Sequence, residues 1–328
     1  MGGCANGTIN KIEETSALPE DLGPLDQKVK YEIKEGTALA PLPAASPEPS
    51  PFLSLEPAGK KAQKKKHGVK TTDLASLPQS PPAPTAKIPM PSRHPAKEAF
   101  LVGEDLLYEI SYFGVPAGYF DLKVLPFKSI NDRKVYHIEA TAVSSKIFSL
   151  FYRLNDTIET FMDYDGLFSY RFHLVLDESK QTRNSLEIND SEKAQTFFWN
   201  RWNKQSGYSE TKTFSPIQPY PQDSLSALYY LRTIPLPDGS VTTFPVVSEG
   251  KTWDAVITVI RREMVSSPFG RVQAVVVRPS TKYQGVLQNK GDSYIWLTDD
   301  DRRIVLRLEA KVRIGTVVAT LKKVQSAQ

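Results

Sequence analysis

The densest run of carboxylates is Asp299-Asp300-Asp301. Two of the three, with a backbone carbonyl, could begin a calcium site, which needs about six to eight oxygen ligands. No spaced ligands follow, and Arg302 and Arg303 adjoin the run and can neutralise it. The expectation is therefore a polar hairpin tip whose acids cap backbone N–H groups. His94, His137 and His173 are separated in sequence and lack a local ligand partner, so structural roles are expected for them. No Gly-x-Ser-x-Gly elbow and no glycine-rich phosphate loop is present, and Ser224 and Ser226 fit the start of a helix. No catalysis, cofactor or metal is expected. The main binding candidate is Trp199-Asn200-Arg201-Trp202 with Tyr208 close behind. Aromatic faces with Arg and Asn donors suit a glycan or peptide groove, although core packing of Trp199 and an ordinary loop at Trp202 is the plainer reading. Trp199, Arg201, Trp202 and Tyr208, together with Arg302 and Arg303, are the candidate ligand or partner surface.

The single cysteine, Cys4, lies in Met1-Gly2-Gly3-Cys4-Ala5-Asn6. One cysteine forms no internal disulfide and is a poor start for a metal site. A small residue before it, and small or polar residues after it, look like the cleavage end of a bacterial lipoprotein signal. Acylation of Cys4 would anchor the chain, at roughly 0.8 kcal/mol per buried CH₂. A charged start and an apolar run would normally precede such a cysteine, and only three residues do. No run of about 18 apolar residues exists, so no helix is expected to span a membrane. Lys and Arg exceed Asp and Glu by only 41 to 37, which does not argue for nucleic acid.

Thirteen of the 25 prolines fall between Pro41 and Pro95, and this divides the chain. Residues 1–40 read as a lipid anchor and a polar segment. Weak apolar spacing at Val29, Tyr31 and Ile33 allows a short strand, but nothing stable is expected. Residues 41–99 read as an extended, solvated proline-rich tether reaching up to roughly 170 Å at 3.1 Å per residue. Its Lys60–His67 cluster is expected to keep the tether solvated; contact with anionic head groups is the alternative.

Residues 100–328 read as the folded domain. Leu107 to Phe113 alternates and stops at Gly114-Val115-Pro116-Ala117-Gly118. Further short β-rich runs separated by turn residues follow, down to Ile304–Leu308 and Val312–Leu321. Connections this short cannot hold βαβ crossovers. One helix is expected at Asp223–Arg232, with Asp223 as its N-cap and Arg232 near its C-terminus favouring the helix dipole. The fold class is therefore all-β with one short helix. Because about a dozen strands is many for an open sheet, the expected form is a strongly curled antiparallel meander or a barrel-like sheet.

Three marks in order resemble the bacterial domain-of-unknown-function family 3108: Leu107–Gly118, Asp223–Thr233 with the Leu236-Pro237-Asp238-Gly239 turn, and Tyr294–Val305 leading to Gly315-Thr316-Val317. Val305 stands where that family often has proline. The resemblance implies a β-rich protein of the periplasm or outer membrane and supplies no activity. The expected role is a non-enzymatic envelope module that binds or scaffolds an envelope protein, peptidoglycan or glycan. It would be attached through an N-terminal lipid on the periplasmic face, with Asn6 favouring the outer membrane. The alternative is a periplasmic carrier of a hydrophobic ligand held inside the sheet.

Overall fold

A computed structural model describes residues 18–19, 22, 28–36, 89–283, 286–288, 292–312 and 315–325. Cys4 and residues 41–88 of the tether expected over 41–99, with its lysine cluster, lie outside the described residues.

The chain opens with a 3₁₀ turn at Lys28–Tyr31 and the short strand β1 (Lys34–Glu35). A first antiparallel meander follows: β2 (Asp105–Tyr112), β3 (Val115–Ile130), β4 (Arg133–Ser144), β5 (Asn155–Asp163), β6 (Ser169–Glu178), β7 (Gln181–Asp190), β8 (Gln195–Lys204) and β9 (Gly207–Pro216). Helix α1 (Ser224–Leu231) separates it from a second: β10 (Val241–Ser248), β11 (Lys251–Ser267), β12 (Gly270–Tyr283), β13 (Val286–Gln288), β14 (Ser293–Thr298), β15 (Val305–Val312) and β16 (Gly315–Gln325). β16 pairs with β2, with Val317 opposite Tyr112 and Leu321 opposite Tyr108, and so joins the two meanders into one sheet.

The expected curling into a barrel-like form does not hold. The sheet is open: its path runs from β10 to β9, and these two strands are its ends. The expectation assumed that so many strands must close to hide their edges. Here the edges are protected separately. Gln222, just before α1, lies along β10, donating to Pro245 O at 2.9 Å and accepting from Val247 N at 2.8 Å. The β9 edge carries Glu210, Lys212 and Pro216, residues that discourage further strand pairing.

Period-two burial divides the sheet into two apolar faces. On one, Leu106 and Tyr108 of β2, Leu122 and Val124 of β3, Tyr136 and Ile138 of β4 and Val275 and Leu297 from the second meander form the main core with Tyr229 and Leu231 of α1. Burying each such side chain stabilises the fold by about 1.5–3 kcal/mol. Asp223 caps α1, accepting from Leu225 N and Ser226 N at 2.8 Å each, while Ser226 Oγ accepts from Asp223 N at 2.8 Å. The reciprocal pair satisfies donors that a helix N-terminus leaves open. Arg232, at the other end of α1, does more than complement a dipole. It is buried and holds Glu104 through two bonds of 2.6 and 2.9 Å, and Arg302 adds a third at 2.8 Å.

The opposite face has its own clusters, and here a second expectation is corrected. Residues before 40 were expected to form nothing stable. Instead Leu18, Leu22 and Tyr31 pack against Leu186, Ile188 and Phe197 of β7 and β8. Tyr31 donates its hydroxyl to Asp190, Lys30 pairs with Glu192 at 2.9 Å, and β1 pairs with β3. The described residues of the N-terminal segment form a strap on the back of the sheet. No helix among the described residues is long and apolar enough to cross a membrane.

Candidate functional site

The core face of β2, β3, β4 and β16 continues past the packed core into an apolar pocket of about 320 Å³. Ile110 and Tyr112 of β2, Ala117 and Gly118 of β3, Val143 and Ser144 of β4 and Val317 of β16 form its walls. Phe148, Tyr152 and Leu154, from the connection between β4 and β5, complete it.

Local sequence explains the shape. Phe113 and Gly114 both adopt positive φ, 50° and 75°, and so turn β2 tightly into β3. A Cβ on Gly118 would lie 2.3 Å from Val143 O, so only glycine permits β3 and β4 to pair closely at the pocket wall. After β4 the chain leaves the sheet for ten residues, and Ser144 ties the base of this excursion. Its N–H donates to Leu154 O at 3.0 Å, and its hydroxyl accepts from Leu154 N at 3.1 Å. Within the excursion, Ser145 N donates to Ala117 O at 2.8 Å and Ser149 N to Ser145 O at 2.8 Å, and the 3₁₀ turn Phe148–Leu150 is closed by Leu150 N donating to Ile147 O at 3.3 Å and Phe151 N to Phe148 O at 3.0 Å. Phe148 and Tyr152 turn toward the pocket. Ile147, Leu150 and Phe151 turn away and are 76%, 81% and 80% exposed.

Acids lie beneath this excursion. Tyr152 donates to Glu178, and Asp156 accepts from Asp177 N at 3.1 Å. Burial, reinforced by Glu178, pushes the Asp156 carboxyl up to about 7.

The residues expected to form a binding surface are placed as follows. Trp199 and Arg201 share the back face, with the guanidinium 4.2 Å from the indole centroid. Trp199 Nε1 and Tyr208 Oη both donate to Glu210, at 2.7 and 2.9 Å. Trp202 points to the other face, an odd number of residues along the strand from Trp199. Its ring is flanked by Arg183 at 4.7 Å and Lys204 at 3.2 Å. Arg302 is engaged with Glu104, while Arg303 occupies a positive-φ position, 42°, in the turn between β14 and β15. The structure thus gathers Trp199, Arg201 and Tyr208 and places Trp202 and the two arginines apart from them. The carboxylate run is a hairpin tip, as expected. Asp300 accepts from Arg302 N at 3.1 Å, Arg303 N at 2.9 Å and Thr298 Oγ1 at 2.7 Å.

Two features were missed in the sequence. The first is the pocket, which depends on where ten residues fold outside the sheet. The second is a histidine network on the back face. His137 Nε2 lies 2.8 Å from Glu159 Oε1, His173 Nδ1 lies 3.4 Å from Oε2, and His173 Nε2 lies 3.2 Å from Asn184 Oδ1. Hydrogen bonds from His137 and then His173 hold the Glu159 carboxyl far below the usual range. Burial pulls the neighbouring Arg171 guanidinium down to about 10, with Glu159 opposing. Strand register brings these residues together: Glu159 stands opposite His173. No group of His, Cys, Asp and Glu among the described residues is arranged to hold a metal.

Residues 107–322 match the family described as protein of unknown function DUF3108. The chain belongs to the DUF3108 family. No curated protein matches it. Among solved structures, it is similar to a β-barrel-like protein of domain of unknown function DUF1849 from Brucella abortus, at 11% identity and a TM-score of 0.46, over 70% of this chain and 99% of that one. A candidate exported protein with a YmcC-like fold from Bacteroides fragilis matches at 8% identity and a TM-score of 0.31, over 72% of this chain and 100% of that one. A candidate lipoprotein from Parabacteroides distasonis matches at 9% identity and 0.31, over 73% and 100%.

Proposed function

We propose that this DUF3108 protein is a non-catalytic module of the bacterial cell envelope that holds an apolar chain, such as an acyl group, in the pocket between β2, β4 and β16. The supporting observation is the pocket's lining: ring and aliphatic carbon from Ile110, Tyr112, Phe148, Leu154 and Val317. Its volume of about 320 Å³ falls at the lower end of ligand sites, about 300–1,000 Å³. The Gly3-Cys4 sequence supports attachment to an envelope membrane through an acylated Cys4.

Native mass spectrometry of gently purified protein, with titration of a fluorescent fatty acid, tests the reading. Saturable binding is expected, and Leu154→Trp, which fills the pocket, is expected to weaken it at least about tenfold. Protein without co-purifying mass and without saturable binding would refute it. A second reading, a surface for a glycan or envelope protein, is supported by the Trp202 ring between Arg183 and Lys204. It predicts that Trp202→Ala reduces retention on peptidoglycan.

A further inference from the structure

We propose that the turns around the pocket mouth dock on a lipid bilayer, so that the pocket opens toward the membrane. This rests on the apolar-ligand reading of the same pocket and names where its occupant comes from.

The observation is an exposed apolar collar. Ile147, Leu150 and Phe151 project from the excursion, while Phe113 and Val115, 70% and 61% exposed, project from the β2–β3 turn. The two turns are neighbours, since Ser145 N donates to Ala117 O. Phe113 also lies against the backbone of Gly315, where an added Cβ would come 2.7 Å from its ring, so the β15–β16 end joins the collar. A contiguous group of large apolar side chains this exposed marks an interaction site.

Three features favour a bilayer over a protein partner. The side chains stand on protruding turns rather than lining a groove that a partner's anchor residue would fill. Their outward spread is the form suited to a fluid apolar phase. Between Ser144 and Leu154 the only ionisable groups besides Tyr152 are Lys146 and Arg153. Lys146 is exposed, and Arg153 pairs with Asp177 at 2.7 Å. Positive charge at an apolar tip complements anionic head groups. Finally, the pocket is lined by apolar atoms and by the chain neighbours of the collar, Tyr112, Phe148 and Tyr152, so a chain passing from a bilayer into it would cross little water.

The test is flotation of the full chain with vesicles of phosphatidylethanolamine and phosphatidylglycerol. Every protein carries Cys4→Ser so that no acyl anchor contributes. The parent is expected to float. Leu150→Ser with Phe151→Ser is expected to lower partitioning by about tenfold or more per side chain, with an unchanged thermal midpoint because both side chains are exposed. Lys146→Glu should weaken binding several-fold, and Phe269→Ser, on the exposed β11–β12 turn, should leave it unchanged. Fatty-acid binding in solution separates the two readings. A collar variant that binds fatty acid but no longer floats supports docking. A parent that floats without binding fatty acid supports docking and counts against the ligand reading, while Leu154→Trp is expected to float and to lose fatty-acid binding. A parent that does not float, or a collar variant that floats equally well, overturns the proposal. So does a parent that self-associates through the collar in sedimentation while ignoring vesicles, which would make the collar an interface between copies.

Discussion

Removing Glu104 should damage the fold far more than removing Arg302, the exposed end of its network. The Glu104 side chain is fully buried, and Arg232 is 1% exposed beside it, whereas Arg302 is 32% exposed. In Glu104→Ala the Arg232 guanidinium keeps its bond to Ala99 O at 2.8 Å but loses its counter-charge. Breaking a buried pair from one side costs about 3–5 kcal/mol. For a domain of this size that corresponds to a fall in thermal midpoint of about 6–20 °C. Arg302→Ala leaves the pair intact and removes a partly solvated partner, so a cost of about 1 kcal/mol or less is expected. The double replacement Glu104→Leu with Arg232→Met should recover much of the loss, because no buried charge then remains. Calorimetry of the four proteins measures all of this. Equal shifts for Glu104→Ala and Arg302→Ala, or a double variant no more stable than Glu104→Ala, would refute the reasoning.

Stability should fall as pH rises from about 4 to above 7. Burial lifts both Asp156 and Glu187 to about 7, so the folded chain holds protons there that the unfolded chain has released. Each group contributes a pH-dependent loss on the order of 3 kcal/mol, and urea unfolding of Asp156→Asn and Glu187→Gln should show a flatter pH profile than the parent. Gly118→Ala should destabilise by about 2 kcal/mol or more, since the new methyl meets backbone rather than a movable side chain; an unchanged urea midpoint would contradict the close approach. Tyr31→Phe removes a buried donor to Asp190, at a cost of about 1–3 kcal/mol. Hydrogen exchange should accelerate over residues 28–36 and in β7 and β8, and unchanged protection would mean that the strap contributes little.

Much of the β-structure was legible because one side of most strands is dry and the connections are short. The Asp223 cap and the Asp300 tip were legible for a local reason: their partners lie two or three residues away. β9 was not, because Gly-Tyr-Ser-Glu-Thr-Lys-Thr-Phe-Ser-Pro is exposed along nearly its whole length and so carries no burial alternation. Closure was misjudged because edge protection by Gln222 on β10 depends on a contact outside any strand. The convergence of His137 and His173 on Glu159 needs strand register, which local pattern does not supply. The strap was hidden for another reason: Leu18, Leu22 and Tyr31 are too far apart to look like a segment that buries a face.

The strap also changes what the proline-rich stretch measures. Residues 28–36 and the chain from 89 onward are seated on the same body, so everything between leaves and returns to one place. The distance between the sheet and an acylated Cys4 is then governed by the 14 residues from Cys4 to Leu18, about 46 Å when fully drawn out, and not by the proline count. Doubling the returning stretch would cost only about 0.6 kcal/mol and would leave the reach from Cys4 to the sheet unchanged. A single cut within 41–87 would leave two polypeptides that remain associated, held by Tyr31, Lys30 and β1.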